Sequence, residues 1–205
     1  MTDTILSSRD GAVLTLTINR PDALNALNPP TMQALRAGIE AAGRDSAIGA
    51  VILTGAGRAF CAGADLKDVS ARLDAGDTDV GRDLRENYVP LTRAIRSCPK
   101  LVIAALNGIA AGAGLSLALA CDLRIAAVVP GDQLMTTVME RARRLADGPR
   151  QTHTLIKRGM ERAMDLDLDQ VMELESHLQT LAARTPDTQE AIRAFIEKRK
   201  PSFRG

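Results

Sequence analysis

The sequence predicts an α/β fold with a mostly parallel sheet, followed by a C-terminal helical subdomain. Two observations carry that expectation. Short, wholly apolar runs, AVILTG at residues 50–55 and LVIAAL at residues 101–106, each lead into a glycine-bearing loop and are separated by helical periodicity, the pattern of strands buried on both faces. After Asp132 the chain shows one helical pattern after another. Strands alternating with helices need crossover connections and hence parallel neighbours. The division expected is an α/β core over residues 1–130 and a helical subdomain for assembly over residues 131–205.

The opening segment reads as a β-hairpin. Leu14, Leu16 and Ile18 alternate with Val13, Thr15 and Thr17, and Asp10-Gly11 turns back toward an earlier strand at residues 5–8. Asn28 is placed to cap a helix with Pro29 and Pro30 in its first turn and Met32, Leu35 and Ile39 on its apolar face, ending near Gly43. Residues 83–97 repeat apolar positions at Leu84, Tyr88, Leu91 and Ile95, a helix that Pro90 interrupts. LSLALACD then reads as a buried helix and LRIAAVVP as a third apolar strand. In the C-terminal part, Leu134, Val138, Met139 and Leu145 mark a helix that stops at Gly148-Pro149, and further helices are expected over residues 151–164, 168–183 and 188–198.

Composition narrows the function. With 45% hydrophobic residues in 205, the chain can bury a sizeable core. The 26 basic and 25 acidic side chains nearly cancel, and aromatics make up 2%, so neither nucleic acid nor an anionic membrane is an expected partner. Cys61, Cys98 and Cys121 lack C-x-x-C spacing and lie far from His153 and His177, so neither a metal site nor a disulfide framework is expected. The N-terminal stretch MTDTILSSRDG has no basic start followed by an apolar run, which predicts a soluble, cytoplasmic protein.

Two glycine loops are the candidate site. In parallel α/β sheets ligands bind beyond the carboxyl ends of strands, where Ala62-Gly63-Ala64 and Gly112-Ala113-Gly114 are expected to lie side by side. Small residues let a substrate approach the backbone, and two N–H groups at helix starts would converge on an oxyanion. Neither loop completes G-x-G-x-x-G, which argues against a dinucleotide site, and each taken alone reads as a tight strand-to-helix connection.

The segments NRPDALNALN (19–28), VILTGAGRAFCAGADL (51–66), NGIAAGAGLSLALACDLRIAA (107–127) and FIEKRKPSF (195–203) together resemble the enoyl-CoA hydratase/isomerase, or crotonase, family, in consistent order along nearly the whole chain. The resemblance implies a crotonase-like fold of repeated ββα units and an oxyanion hole for a thioester carbonyl at the N–H groups of Ala64 and Ala113. It implies an acyl-CoA substrate bordered by Ala62, Ala64, Asp65, Leu66, Lys67, Gly112, Ala113 and Ser116. Ala23 and Leu24 would flank the pantetheine and adenine, and Phe195 and Lys198 would reach a CoA phosphate from a neighbouring subunit of a homotrimer or hexamer. No cofactor beyond the coenzyme A of the substrate is implied. Asp65 is expected to serve the hydrogen bonding of its loop rather than proton transfer.

The chain departs from the family pattern in two places. Ser116 stands where hydratases commonly carry a glutamate, which favours proton relocation over hydration. Family members also place roughly 55 residues, including a second catalytic carboxylate, between the segments matched by DLRIAA and VVP, whereas here Ala127 runs directly into Val128. A chain lacking both acids could instead be a non-catalytic CoA-binding or assembly subunit. Gly114-Leu115-Ser116 also approximates a nucleophile elbow, so a serine hydrolase using Ser116 is a third reading, with His153 or His177 as the base it would need.

Overall fold

The computed structural model describes residues 3–76, 79–126, 133–163 and 165–203. Strands β1 (Ile5–Asp10) and β2 (Val13–Ile18) form the expected hairpin, pairing antiparallel from Ile5 opposite Ile18 to Asp10 opposite Val13. Helix α1 (Pro29–Arg44) follows, capped by the Asn28 side chain, which accepts from the Thr31 N–H at 3.1 Å. Strand β3 (Ala50–Gly55) runs parallel to β2, and β5 (Leu101–Leu106) runs parallel to β3 with Ala50 opposite Leu101. Strand β7 (Leu123–Ala126) closes the five-stranded order β1-β2-β3-β5-β7 as its edge. The strand expected to run on through VVP is thus described up to Ala126, and residues 127–132, including the Ala127–Val128 junction, lie outside the described residues.

Side-chain alternation divides the core into two layers. Val51 and Leu53 of β3 face α1, whose Met32, Leu35 and Ile39 are buried with Leu91 and Ile95 of helix α4 (Val89–Ser97). Ala50 and Ile52 face the other way, against helix α6 (Leu134–Ala146) through Leu134, Val138, Ala142 and Ala146. Helix α6, grouped by its sequence pattern with the C-terminal helices, therefore covers the second face of the sheet. Its small residues allow close approach: a Cβ on Gly49 would lie 2.8 Å from the Ala146 Cα.

Helices α7 (Arg150–Arg162), α8 (Leu168–Ala183) and α9 (Pro186–Ile196) follow. Lys157 ties α7 to the core. Its ammonium donates to the Ile95 and Lys100 carbonyls and to Asp122 Oδ2 at 2.8 Å, in a pair whose side chains are about one-tenth exposed. Among the described residues no helix is long and apolar enough to cross a membrane.

The helix expected over 83–97 starts earlier and is not uniform. A short α3 (Val80–Asp83) passes into a π-helical turn, Leu84–Tyr88, and then α4, with the Val89 N–H donating to the Leu84 carbonyl five residues back. Pro90 has no N–H to offer the preceding turn, and the wider turn accommodates its ring.

Candidate active site

Beyond the sheet, β4 (Ala59–Cys61) pairs in parallel with β6 (Ile109–Ala110), an element pair without an alternation signal long enough to read in the sequence. This pair brings the two glycine loops together. Its close fit depends on missing side chains: a Cβ on Gly108 would sit 2.1 Å from the Arg58 carbonyl oxygen. Asn107 clamps the junction, donating from Nδ2 to the carbonyls of Gly55 and Gly57 at 2.8 Å and accepting at Oδ1 from the Gly55 N–H at 3.2 Å. Asn25, fully buried, braces the other side by donating to the carbonyls of Ala56 and Ala59.

Around Ala64 the backbone is engaged on both sides. The Ala62 N–H donates to the Leu24 carbonyl, the Leu27 N–H to the Gly63 carbonyl at 2.7 Å, and the Asp65 N–H to the Leu27 carbonyl at 2.9 Å. Among the described residues the Ala64 N–H has no acceptor. The same holds for the N–H of Ala113, the first residue of helix α5 (Ala113–Ala120), whose orientation follows from Gly112 at φ 49° and ψ −126°. Gly63, at φ 108°, brings the loops into contact: a Cβ there would lie 2.9 Å from the Ala111 carbonyl oxygen and 3.4 Å from the Ala113 nitrogen. Two unengaged amides on touching turns, one opening a helix, are donors that an anionic oxygen could use.

Both alanines line one cavity of about 670 Å³. Leu27, Val69, Leu84, Leu91 and Leu117 make most of its wall, while Arg72, Asp83 and Tyr88 add a polar side. Asp83 accepts from Asn87 Nδ2 at 2.7 Å and from Arg72 at 3.2 Å, and Arg72 also pairs with Asp68 at 3.2 Å. Burial, reinforced by the charge of Asp83, pushes the Tyr88 phenol up to about 12, so it stays protonated. Sequence reasoning gave these three no role; Tyr88 and Asp83 entered it only as positions on a helical pattern.

The remaining candidates are spread out. Asp65 caps helix α2 (Leu66–Asp74), accepting from the N–H groups of Lys67 and Asp68, and pairs with Arg20 at 2.7 Å. Burial raises its pKa, but these hydrogen bonds and the Arg20 charge outweigh that and hold the carboxyl below the usual range. Ala23 and Leu24 sit against the Ala62 loop, with Leu24 at φ 49°, and neither lines the cavity. Leu66 and Lys67 are exposed at the start of α2. Ser116 lines the cavity and its hydroxyl donates to the Gly112 carbonyl at 3.3 Å; no hydrogen bond joins it to His153 or His177 among the described residues. Phe195, 85% exposed, and Lys198 lie at the end of α9, away from this cavity. No group of three or more His, Cys, Asp or Glu side chains among the described residues could hold a metal ion.

Comparison with known proteins gives the family of the chain. The family model described as "Enoyl-CoA hydratase/isomerase" matches residues 8–128 and, separately, 125–205. The chain is 33% identical to 1,2-epoxyphenylacetyl-CoA isomerase of Escherichia coli K12 over 261 positions covering all of both chains, and 30% identical to the short-chain-enoyl-CoA hydratase of Clostridium acetobutylicum over 96% of this chain and 95% of that one. A solved enoyl-CoA hydratase from Mycobacterium smegmatis superposes with TM-score 0.90 at 25% identity, covering 99% of this chain and 100% of that one. An alignment of 261 positions on 205 residues leaves a stretch of the relative without a counterpart here, and the two family-model matches meet at residues 125–128.

Proposed function

Because this chain belongs to the enoyl-CoA hydratase/isomerase family, we propose that it binds an acyl-CoA thioester with the carbonyl oxygen between the N–H groups of Ala64 and Ala113 and relocates a proton of the acyl group. Removing the proton next to the thioester carbonyl places negative charge on the carbonyl oxygen. The two amides stabilise that enolate, and return of a proton at the γ carbon shifts the double bond. The observation that carries the reading is the pair of unengaged amides on touching turns at one cavity. Ser116 cannot act as a carboxylate base on water, which favours isomerisation over hydration. Asp83 is the one carboxylate among the described residues lining the cavity and is our candidate for moving the proton.

In the same reading Ala23, Leu24, Ala62, Leu66 and Lys67 flank the coenzyme. Phe195 and Lys198 act on a neighbouring copy in a homotrimer or hexamer, for which the exposure of Phe195 leaves room. The protein works in the cytoplasm. A second reading is thioester binding without turnover, as expected of a chain that lacks the carboxylates of its family.

Ala113→Pro tests the oxyanion assignment. Proline fits the first position of a helix and removes only the N–H. Exchange of the α-proton of butyryl-CoA in D2O, followed by NMR, should fall about 10²–10³-fold. Unchanged exchange in the folded variant refutes the assignment; binding by the wild type without exchange selects the second reading.

A further inference from the structure

Asp83 meets the cavity with about one-tenth of its side chain open, and its carboxyl is held from behind. Asn87, buried and not part of the cavity wall, donates from Nδ2 to Oδ1 at 2.7 Å, while Arg72 donates to Oδ2 at 3.2 Å. Each carboxylate oxygen carries two lone pairs, so each keeps one free for a proton. Asn87 is itself fixed. A carboxylate only accepts, so the amide nitrogen faces Asp83, which turns the Asn87 Oδ1 toward Gln33, whose Nε2 donates to it at 3.0 Å. The network runs from Gln33 on α1, through Asn87 in the π-helical turn, to Asp83 at the end of α3 and Arg72 on α2. Such turns recur at functional sites.

The two donors to Asp83 are not equivalent. Arg72 divides its guanidinium between Asp83 and Asp68 and is 29% exposed, whereas the buried Asn87 gives its amide nitrogen to Asp83 alone among the described residues. Proton transfer tolerates little misplacement, and without the Asn87 bond the carboxyl is free to swing about its Cβ–Cγ bond. We infer that Asn87 is a positioning residue: its bond to Asp83, oriented by Gln33, holds a free lone pair of the carboxylate toward the cavity for the proton shift. In that shift the α C–H bond breaks, its electron pair passes into the enolate, an O–H bond forms on Asp83, and the proton is then returned to carbon. The inference deepens the acyl-CoA reading above and rests on its assignment of Asp83.

The test compares wild type, Asn87→Leu, Asp83→Asn and the double variant by α-proton exchange of butyryl-CoA in D2O and by calorimetric binding of the same thioester. Asn87→Leu should lower the maximal exchange rate about 10–100-fold with Kd within about twofold of wild type. On top of Asp83→Asn it should lower the rate no further, since no carboxylate remains to be held. An equal fall in both backgrounds, or no fall in either, overturns the role of Asn87. Should Asn87→Leu fail to fold, Gln33→Met decides, because Gln33 is exposed on α1 and its loss frees the Asn87 amide to turn. A lower exchange rate at unchanged Kd is expected there, and an unchanged rate overturns the inference. Asp83→Asn exchanging at the wild-type rate overturns the assignment of Asp83 and this inference with it. Wild type that binds without exchange overturns the proton-transfer reading, wild type that does not bind overturns the acyl-CoA reading, and the inference falls with either.

Discussion

Gly114 is packed onto β4 so closely that a Cβ on it would lie 2.0 Å from the carbonyl oxygen of Cys61. That contact sets α5 at the height where the Ala113 N–H meets the Ala64 loop. Gly114→Ala has backbone as its obstacle, which cannot rotate away, and should cost more than about 3 kcal/mol of stability along with activity. Gly112 makes a useful contrast. A Cβ there would meet nothing within 4 Å, so Gly112→Ala should cost about 1–3 kcal/mol through its backbone conformation alone. Urea denaturation of the two variants measures the difference.

The Arg20–Asp65 pair makes the site acid-sensitive. The folded pKa of Asp65 lies below its ordinary value of 3.8, so the carboxylate stabilises the fold above that value and loses the contribution as pH falls through the folded one. Asp65→Asn should therefore be less stable near neutrality and show a shallower loss of stability below pH 3.8. Thermal unfolding across that range checks the sign; parallel curves would show that the pair contributes nothing.

Lys157, its side chain about one-tenth exposed, ties the helical half to the core. Lys157→Met keeps the aliphatic stem but leaves Asp122 with the Val102 N–H as its remaining partner, together with two carbonyls that lose a donor. Stranding a buried charge in this way typically costs about 3–5 kcal/mol, and the slight exposure of the pair places the expectation near the lower end. Hydrogen exchange should show α7 opening more readily in the variant.

Leu115 and Leu119, 46% and 57% exposed, share one face of α5 at i and i+4, and the Leu119 carbonyl accepts from Arg124 of the edge strand β7. Leu119→Lys should leave stability within about 0.5 kcal/mol while lowering aggregation, because the side chain it replaces contributes little buried area. Light scattering on concentrated samples reads this out.

Much of the candidate site was legible because its chemistry is local. Gly63, Ala64, Gly112 and Ala113 each follow a short apolar strand, and a turn that frees an amide must be written in small residues at that turn. Asn28 could be read as a cap for the same reason: its side chain bonds within one helical turn. The polar side of the cavity was not legible. Arg72, Asp83 and Tyr88 lie on separate stretches of helix, and nothing in their spacing marks them as neighbours of Ala64. The π-helical turn was hidden too, since Pro90 signals an interruption without saying how the chain absorbs it.

By itself the sequence determined the alternation of strands and helices, the hairpin, and the two glycine turns, because hydrophobic period and glycine placement act over a few residues. Tertiary structure alone decided that α6 covers the second face of the sheet, that β4 and β6 pair, and that Tyr88 lines the cavity beside Arg72 and Asp83. Each of these depends on contacts between segments far apart in the chain, where packing and hydrogen-bond satisfaction select the arrangement and local propensity is silent.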